Sequence, residues 1–235
     1  MAKKNKDISS SNLIKVKPIT EGQKSVFETW KQGKNQFLFG CAGTGKTFIS
    51  LYLAMQDVLN LQTKYEKVIL VRSLIPTREI GFLPGDEEDK AALYQVPYQN
   101  MVKFMFEQPN EQAFNMLYDR LKSQGSLYFL STSFLRGLTF DNSIIIVDEC
   151  QNLNFHELDT ITTRVGQDSK IIYCGDFSQT DLLKQNERNG LHDFLRILEE
   201  MQEFNCVEFN IGDIVRSGFV RNYLIQKTKL GMGME

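Results

Sequence analysis

Short apolar runs recur along the chain, and longer stretches with helical periodicity separate them. "NQFLFG" (35 to 40), "KVILV" (67 to 71), "SLYFLS" (126 to 131), "SIIIVDE" (143 to 149), "KIIYCGD" (170 to 176) and "CVEFN" (206 to 210) read as strands. They are rich in β-branched and aromatic residues, and several are apolar throughout, as strands covered on both faces must be. An apolar-periodic helix is predicted from about Lys46 to Leu59, and another across "VRSGFVRNYLIQK" at the C-terminal end. Strands alternating with helices predict βαβ units, hence an α/β fold built on a doubly wound, mainly parallel sheet with helices on both faces.

Two stretches depart from this rhythm. Residues 76 to 125 hold "PTREIGFLPGDEEDK", with turn residues and a charged cluster, and then a mostly helical segment. That is too long for a plain connection, so it is expected to be a loop with a small helical subdomain on the face where strand ends bind ligands. The first 17 residues carry five Lys against one Asp. They read as a basic, flexible tail preceding one domain over 18–235.

Composition adds limits. The chain of 235 residues is 42% hydrophobic, enough for a packed core. No apolar run approaches the roughly 18 residues of a membrane span, and no secretory leader is apparent, so no membrane partner and a cytoplasmic location are expected. A net charge of −2 gives no global attraction for polyanions. Cys41, Cys150, Cys174 and Cys206 lack C-x-x-C spacing, and only His156 and His192 accompany them, so reduced thiols are expected rather than a zinc site.

The chemistry begins where the first strand ends. "GCAGTGKT" (40 to 47) matches the phosphate-binding loop G-x-x-x-x-G-K-[ST] in full, with a strand before it and a helix after. Its glycines let backbone N–H groups turn toward phosphate oxygens, and the helix N-terminus favours the same charge. Gly40, Cys41, Ala42, Gly43, Thr44, Gly45, Lys46, Thr47 and Phe48 are therefore the expected nucleotide contacts. Lys46 is assigned to the β- and γ-phosphates and the Thr47 hydroxyl to Mg²⁺.

"IIIVDE" supplies the complement. A buried strand delivers Asp148 to the sheet's C-terminal edge, where a carboxylate holds Mg²⁺, and Glu149 follows, placed to orient or deprotonate a water. "YCGDFSQTD" ends the next strand, and the amide of Gln179 is a candidate sensor of the γ-phosphate and the attacking water. A water-activating Glu favours hydrolysis over a small-molecule kinase. A nucleic-acid-dependent ATPase and a nucleotide-gated interaction switch without strand movement both remain open.

These segments, in this order, resemble the ATPase core of superfamily 1 helicases, and more closely the PhoH-like ATPases. "GFLPGDEEDK" (81 to 90) after "VRSLIP", "FLRGLTFDNSIIIVDECQN" (134 to 152) and "DIVRSGFVRNYL" (213 to 224) are similar to stretches of that family, over about Pro18 to Lys227. Leu138 stands where the family usually has an arginine, Cys150 where Ala is common, and no His-Pro follows Arg216. The resemblance implies a RecA-like P-loop ATPase using ATP and Mg²⁺. It implies an adenine contact at Gln23 and an arginine finger at Arg216. It also favours a homo-oligomer, a hexameric ring with the finger acting in trans, although a single-lobe chain can instead take the finger from its own C-terminal helix. RNA or single-stranded DNA is the implied partner, with Arg72, Arg78 and Arg136 as candidate phosphate contacts and Phe82 and Phe134 as stacking platforms.

Overall fold

The strand runs are apolar at consecutive positions because both faces of one sheet are covered. The computed structural model describes residues 7–73, 87–132, 135, 137–177 and 190–230. Among them β1 (Asn35–Gly40), β2 (Lys67–Arg72), β3 (Leu127–Ser131), β4 (Ser143–Asp148), β5 (Lys170–Gly175) and β6 (Phe204–Phe209) form one sheet. The strand order is β3-β2-β4-β5-β1-β6, and every pairing is parallel.

Period-2 alternation divides the core. Leu38, Leu70, Ile144, Ile146 and Ile172 face α1 (Glu21–Lys31), α2 (Lys46–Val58), α3 (Glu87–Phe106) and α4 (Glu111–Ser123). Phe37, Phe39, Ile69, Ile145, Val147 and Tyr173 face α5 (Phe155–Thr162) and α6 (Leu191–Glu200) on the other side. β4 and β5 are buried along their whole length, while the edge strands β3 and β6 each leave positions exposed. The last helix, α7 (Gly218–Lys229), buries none of its residues fully.

Two expectations change. α3 and α4 do lie between β2 and β3, but they do not form a subdomain with its own core. Tyr98, Val102, Met105, Phe114 and Leu121 join the same apolar cluster as α2 and the sheet. From residue 7 onward, moreover, the N-terminal segment is not a flexible tail. Ile8 and Leu13 are buried, Ser10 N–H donates to Leu59 O at 3.2 Å, and Ile14 N–H donates to Met105 O at 2.8 Å. Two isolated apolar side chains anchor it, each burial contributing about 1.5–3 kcal/mol.

The sheet order also places β5 between the two strands that carry the chemistry. β1 pairs with β5, and β5 pairs with β4. The end of β5, at Gly175 and Asp176, therefore sits between the glycine loop and the acidic pair.

Candidate nucleotide site

β1 breaks at Gly40 because the backbone there has φ +121°, and a Cβ would collide with the Phe209 carbonyl. The next N–H, of Cys41, donates to that carbonyl at 2.8 Å, so the loop starts pinned to β6. Gly43 and Gly45 are also left-handed, at φ +74° and +86°, which L side chains rarely adopt. The chain then enters α2 at Lys46. The sequence thus folds into a tight loop whose end is a helix N-terminus, the arrangement that receives an anionic group.

Lys46 is buried, and its Nζ is fully engaged. It donates to Cys41 O at 2.8 Å and Gly40 O at 3.3 Å, and it pairs with Asp176 Oδ1 at 2.7 Å. Thr47 Oγ1 donates to Asp148 Oδ1 at 2.7 Å, joining the start of α2 to the end of β4 across β5. The other oxygen, Oδ2, accepts from the Tyr98 hydroxyl at 2.7 Å.

Glu149 takes a left-handed conformation, φ +53°, which is uncommon outside glycine and costs about 1–3 kcal/mol. Its Oε2 accepts from Gln151 Nε2 at 2.6 Å, while Gln151 Oε1 accepts from Asp176 N–H at 3.1 Å. Burial pushes the Glu149 carboxyl above the ordinary range, helped by the charges of Asp148 and Asp176. Gln151 and Arg72 pull it partly back. A carboxylate with a raised pKa in a cleft is a stronger base than an exposed one.

Most of the predicted residues that the structure describes line one cavity of about 660 Å³, whose walls include Gln23, the loop from Gly43 to Thr47, Phe48, Arg72, Asp148, Glu149 and Arg216, with Asp176 beside them. Gln23 is buried with both amide atoms bonded. Its Nε2 donates to Thr44 O at 3.0 Å, and its Oε1 accepts from Ile19 N–H at 3.0 Å. Arg216 packs over the loop of its own chain, since a Cβ at Gly43 would lie 3.0 Å from Arg216 Cγ and from Leu224 Cδ1. Val215 N–H donates to Gly43 O at 3.0 Å, tying the segment before α7 to the same loop.

Arg72 does not face outward as an external phosphate contact. It is half-buried, close to Tyr98 and Glu149, and rests on the Tyr94 ring at 5.7 Å. Gln179, Arg78, Phe82, Phe134 and Arg136 lie outside the described residues.

Three further residues, given no role from the sequence, support the site. Gln151 bridges Glu149 to β5, and its place two residues after Glu149 in "DECQN" is the available signal. Asp213, buried, accepts from Gly22 N–H at 2.9 Å and Asn210 N–H at 2.8 Å, fixing the start of the helix that carries Gln23. Tyr98, from the insertion, gives no signal by spacing.

Thr47 and Asp148 offer two hard oxygen donors side by side, a set that fits Mg²⁺ completed by phosphate oxygens and water. Among the described residues no group of three His, Cys, Asp or Glu side chains gathers as a metal cage, and no helix is long and apolar enough to cross a membrane.

A family model described as PhoH-like protein matches residues 15–226. A PhoH-like protein of Synechocystis sp. is 33% identical over 186 residues, 79% of this chain and 54% of that protein. Protein PhoH of Escherichia coli is 32% identical over 190 residues, 80% of this chain and 51% of that one. The chain thus spans about half the length of these relatives. Among solved structures, the large terminase of a thermophilic bacteriophage superposes with a TM-score of 0.51 at 12% identity, over 90% of this chain and 50% of that one, a likeness of fold.

Proposed function

The chain belongs to the PhoH-like protein family, and from that premise we propose that it is a Mg²⁺-dependent ATPase whose hydrolysis is coupled to RNA or single-stranded DNA. The observation that carries the reading is the convergence of Lys46, Thr47, Asp148 and Glu149 on one cavity, with Thr47 Oγ1 2.7 Å from Asp148 Oδ1.

The loop N–H groups and Lys46 bind the β- and γ-phosphates, and Thr47 and Asp148 hold the cation. Mg²⁺, when bound, neutralises charge that develops on the phosphate oxygens. Glu149 orients a water and takes its proton as the water oxygen bonds to the γ-phosphorus. The bond from that phosphorus to the bridging oxygen of ADP breaks, and ADP leaves with the electron pair. Gln151 holds Glu149 at the angle this requires. Gln23, locked between Ile19 and the loop, reports on the loop's shape as well as serving as the expected adenine contact.

Arg216 stabilises charge on the transferring group. Its packing over Gly43 supports a finger acting in cis, in place of the trans arrangement expected from the family. A homo-oligomeric ring of six remains our proposal for assembly. The support for association is α7, where Phe219 is 83% and Tyr223 57% exposed. Mixing Arg216→Ala with Lys46→Ala subunits separates the two geometries, since activity returns only if the finger acts between chains. The cytoplasm is the expected compartment, and the free buried thiols Cys150 and Cys174 fit a reducing one.

The deciding experiment is ATP hydrolysis measured with and without single-stranded RNA or DNA, with Lys46→Ala as control. Stimulation that fades as salt rises supports coupling to a polyanion, because phosphate contacts release counterions. An unstimulated rate supports a nucleotide-gated switch, and no hydrolysis by the wild-type chain overturns the ATPase reading.

A further inference from the structure

Tyr98 stands outside every motif, yet it touches the metal carboxylate. Its ring is 1% exposed and packs near Phe129 at a centroid distance of 5.8 Å, so the aromatic body belongs to the core. Its hydroxyl reaches the cavity and meets Asp148 Oδ2 at 2.7 Å. With Thr47 on Oδ1, both oxygens of Asp148 are held.

The direction of these bonds follows from donor chemistry. The Tyr98 hydroxyl commits its single proton to Asp148, because an ionised carboxylate can only accept. Beside Tyr98 lies Arg72, with Asp148 and Glu149 also within reach of its charge. Arg72 ends β2 and is the register partner of Asp148 on β4, so the two side chains leave neighbouring strand ends. Arg72 also rests on Tyr94, one turn before Tyr98 on α3. The inserted helix thus clasps Arg72 and Asp148 between two tyrosines at i and i+4 spacing, the separation that places side chains on one helix face.

We propose that Tyr98 is a positioning residue for Mg²⁺-nucleotide. Its hydroxyl, with Arg72 beside it, fixes the Asp148 carboxylate that would hold the cation, and the insertion helix thereby sets that carboxylate. This rests on the ATPase reading of the same site. With Tyr98 on one carboxylate oxygen and Thr47 on the other, rotation of the Asp148 side chain is restricted. A metal ligand's outer partner commonly carries about 10–100-fold in metal affinity.

The test is Tyr98→Phe, which keeps the ring and removes only the hydroxyl. Fluorescent ADP is titrated in EDTA and across a range of Mg²⁺ concentrations, with kcat and KM for ATP measured in parallel. In EDTA the variant is expected to bind ADP within about twofold of wild type, since the phosphate loop is untouched. Its half-saturating Mg²⁺ concentration is expected to rise about tenfold or more. Arg72→Met, which keeps the hydroxyl but removes the neighbouring charge, is expected to raise it by a smaller factor. The double variant is expected to go no further than Tyr98→Phe if the two act as one unit. An unchanged Mg²⁺ requirement in Tyr98→Phe overturns the proposal, as does an equal loss of ADP binding in EDTA, which marks a merely structural role. Wild-type protein that binds ADP with no dependence on Mg²⁺ overturns the metal part of the ATPase reading, and the proposal with it.

Discussion

Lys46 Nζ lies 2.7 Å from Asp176 Oδ1, so the lysine assigned to the nucleotide phosphates is held by a carboxylate from the neighbouring strand. The pair is asymmetric, with Lys46 buried and Asp176 39% exposed. A triphosphate entering the loop displaces this contact and meets the Asp176 charge. Asp176→Asn is therefore expected to tighten binding of ADP, measured without Mg²⁺ by fluorescence titration. The gain is expected to be about fivefold, part of the 1.5–3 kcal/mol typical of a charge-assisted hydrogen bond. It should shrink as salt screens the half-exposed charge. Equal affinity in both proteins would show that the ion pair does not oppose nucleotide.

Glu149 is predicted to set the acid limb of turnover. Its carboxyl is raised above the ordinary 4.5, first by burial and then by Asp148 and Asp176. A general base works only when deprotonated, so kcat is lost as pH falls through this raised value, above the range of an ordinary Glu. Gln151→Ala removes the bond that favours the charged form and should move the limb further up. Glu149→Gln should retain ADP binding and lose about a hundredfold or more in kcat. Normal hydrolysis by that variant would remove Glu149 from its assigned role.

How far the sequence announces these parts depends on the range of the interaction. The strands are legible because both faces are covered, so "IIIV" of β4 is buried at every position without interruption. The loop is legible because its glycines answer a local requirement, left-handed backbone at Gly43 and Gly45. Tyr98 is not, because its contact with Asp148 spans 50 positions and depends on how the insertion helix packs. Ile8 and Leu13 are hidden for a related reason. The few apolar residues in that run of Ser, Asn and Lys show no period, and only packing beside α2 and α3 gives these two a place. Arg72 reads as an outward contact because a strand-end arginine has no partner until α3 arrives.

Gly40 tests how tightly the loop is tied to β6. Gly40→Ala faces both an unfavourable φ of +121° and collision with the Phe209 carbonyl, on a strand pair that fixes the start of the loop. A loss of about 3 kcal/mol is expected, lowering Tm by about 10 °C. Gly33→Ala is the control, with φ +75° but no atom within 4 Å of the added Cβ. It should lose only the left-handed strain of about 1–2 kcal/mol. Equal losses in a thermal melt would show that the Phe209 contact relaxes freely.

Lys170, at the start of β5, is the charged group most at odds with its surroundings. It is 2% exposed, its Nζ lies over the Trp30 ring at 4.1 Å, and it donates to Trp30 O at 3.4 Å. Those contacts favour the ammonium, but burial outweighs them and pushes the pKa down from 10.5 to about 8, with Asp57 attracting and Lys64 repelling the charge. Below about pH 8 both folded and unfolded chains hold the proton, and the folded state carries the full penalty. Between about 8 and 10.5 the unfolded chain binds a proton that the folded chain has released, so this group's contribution to stability rises with pH. The rise amounts to about 3 kcal/mol at 1.36 kcal/mol per pH unit. Lys170→Met removes the titration while keeping an unbranched side chain. Its stability relative to wild type should therefore be greatest near pH 7 and fall by about 3 kcal/mol by pH 10, read from urea unfolding of both proteins at each pH. A difference that stays constant across that window would mean Lys170 titrates as an ordinary lysine, with Trp30 compensating its burial in full.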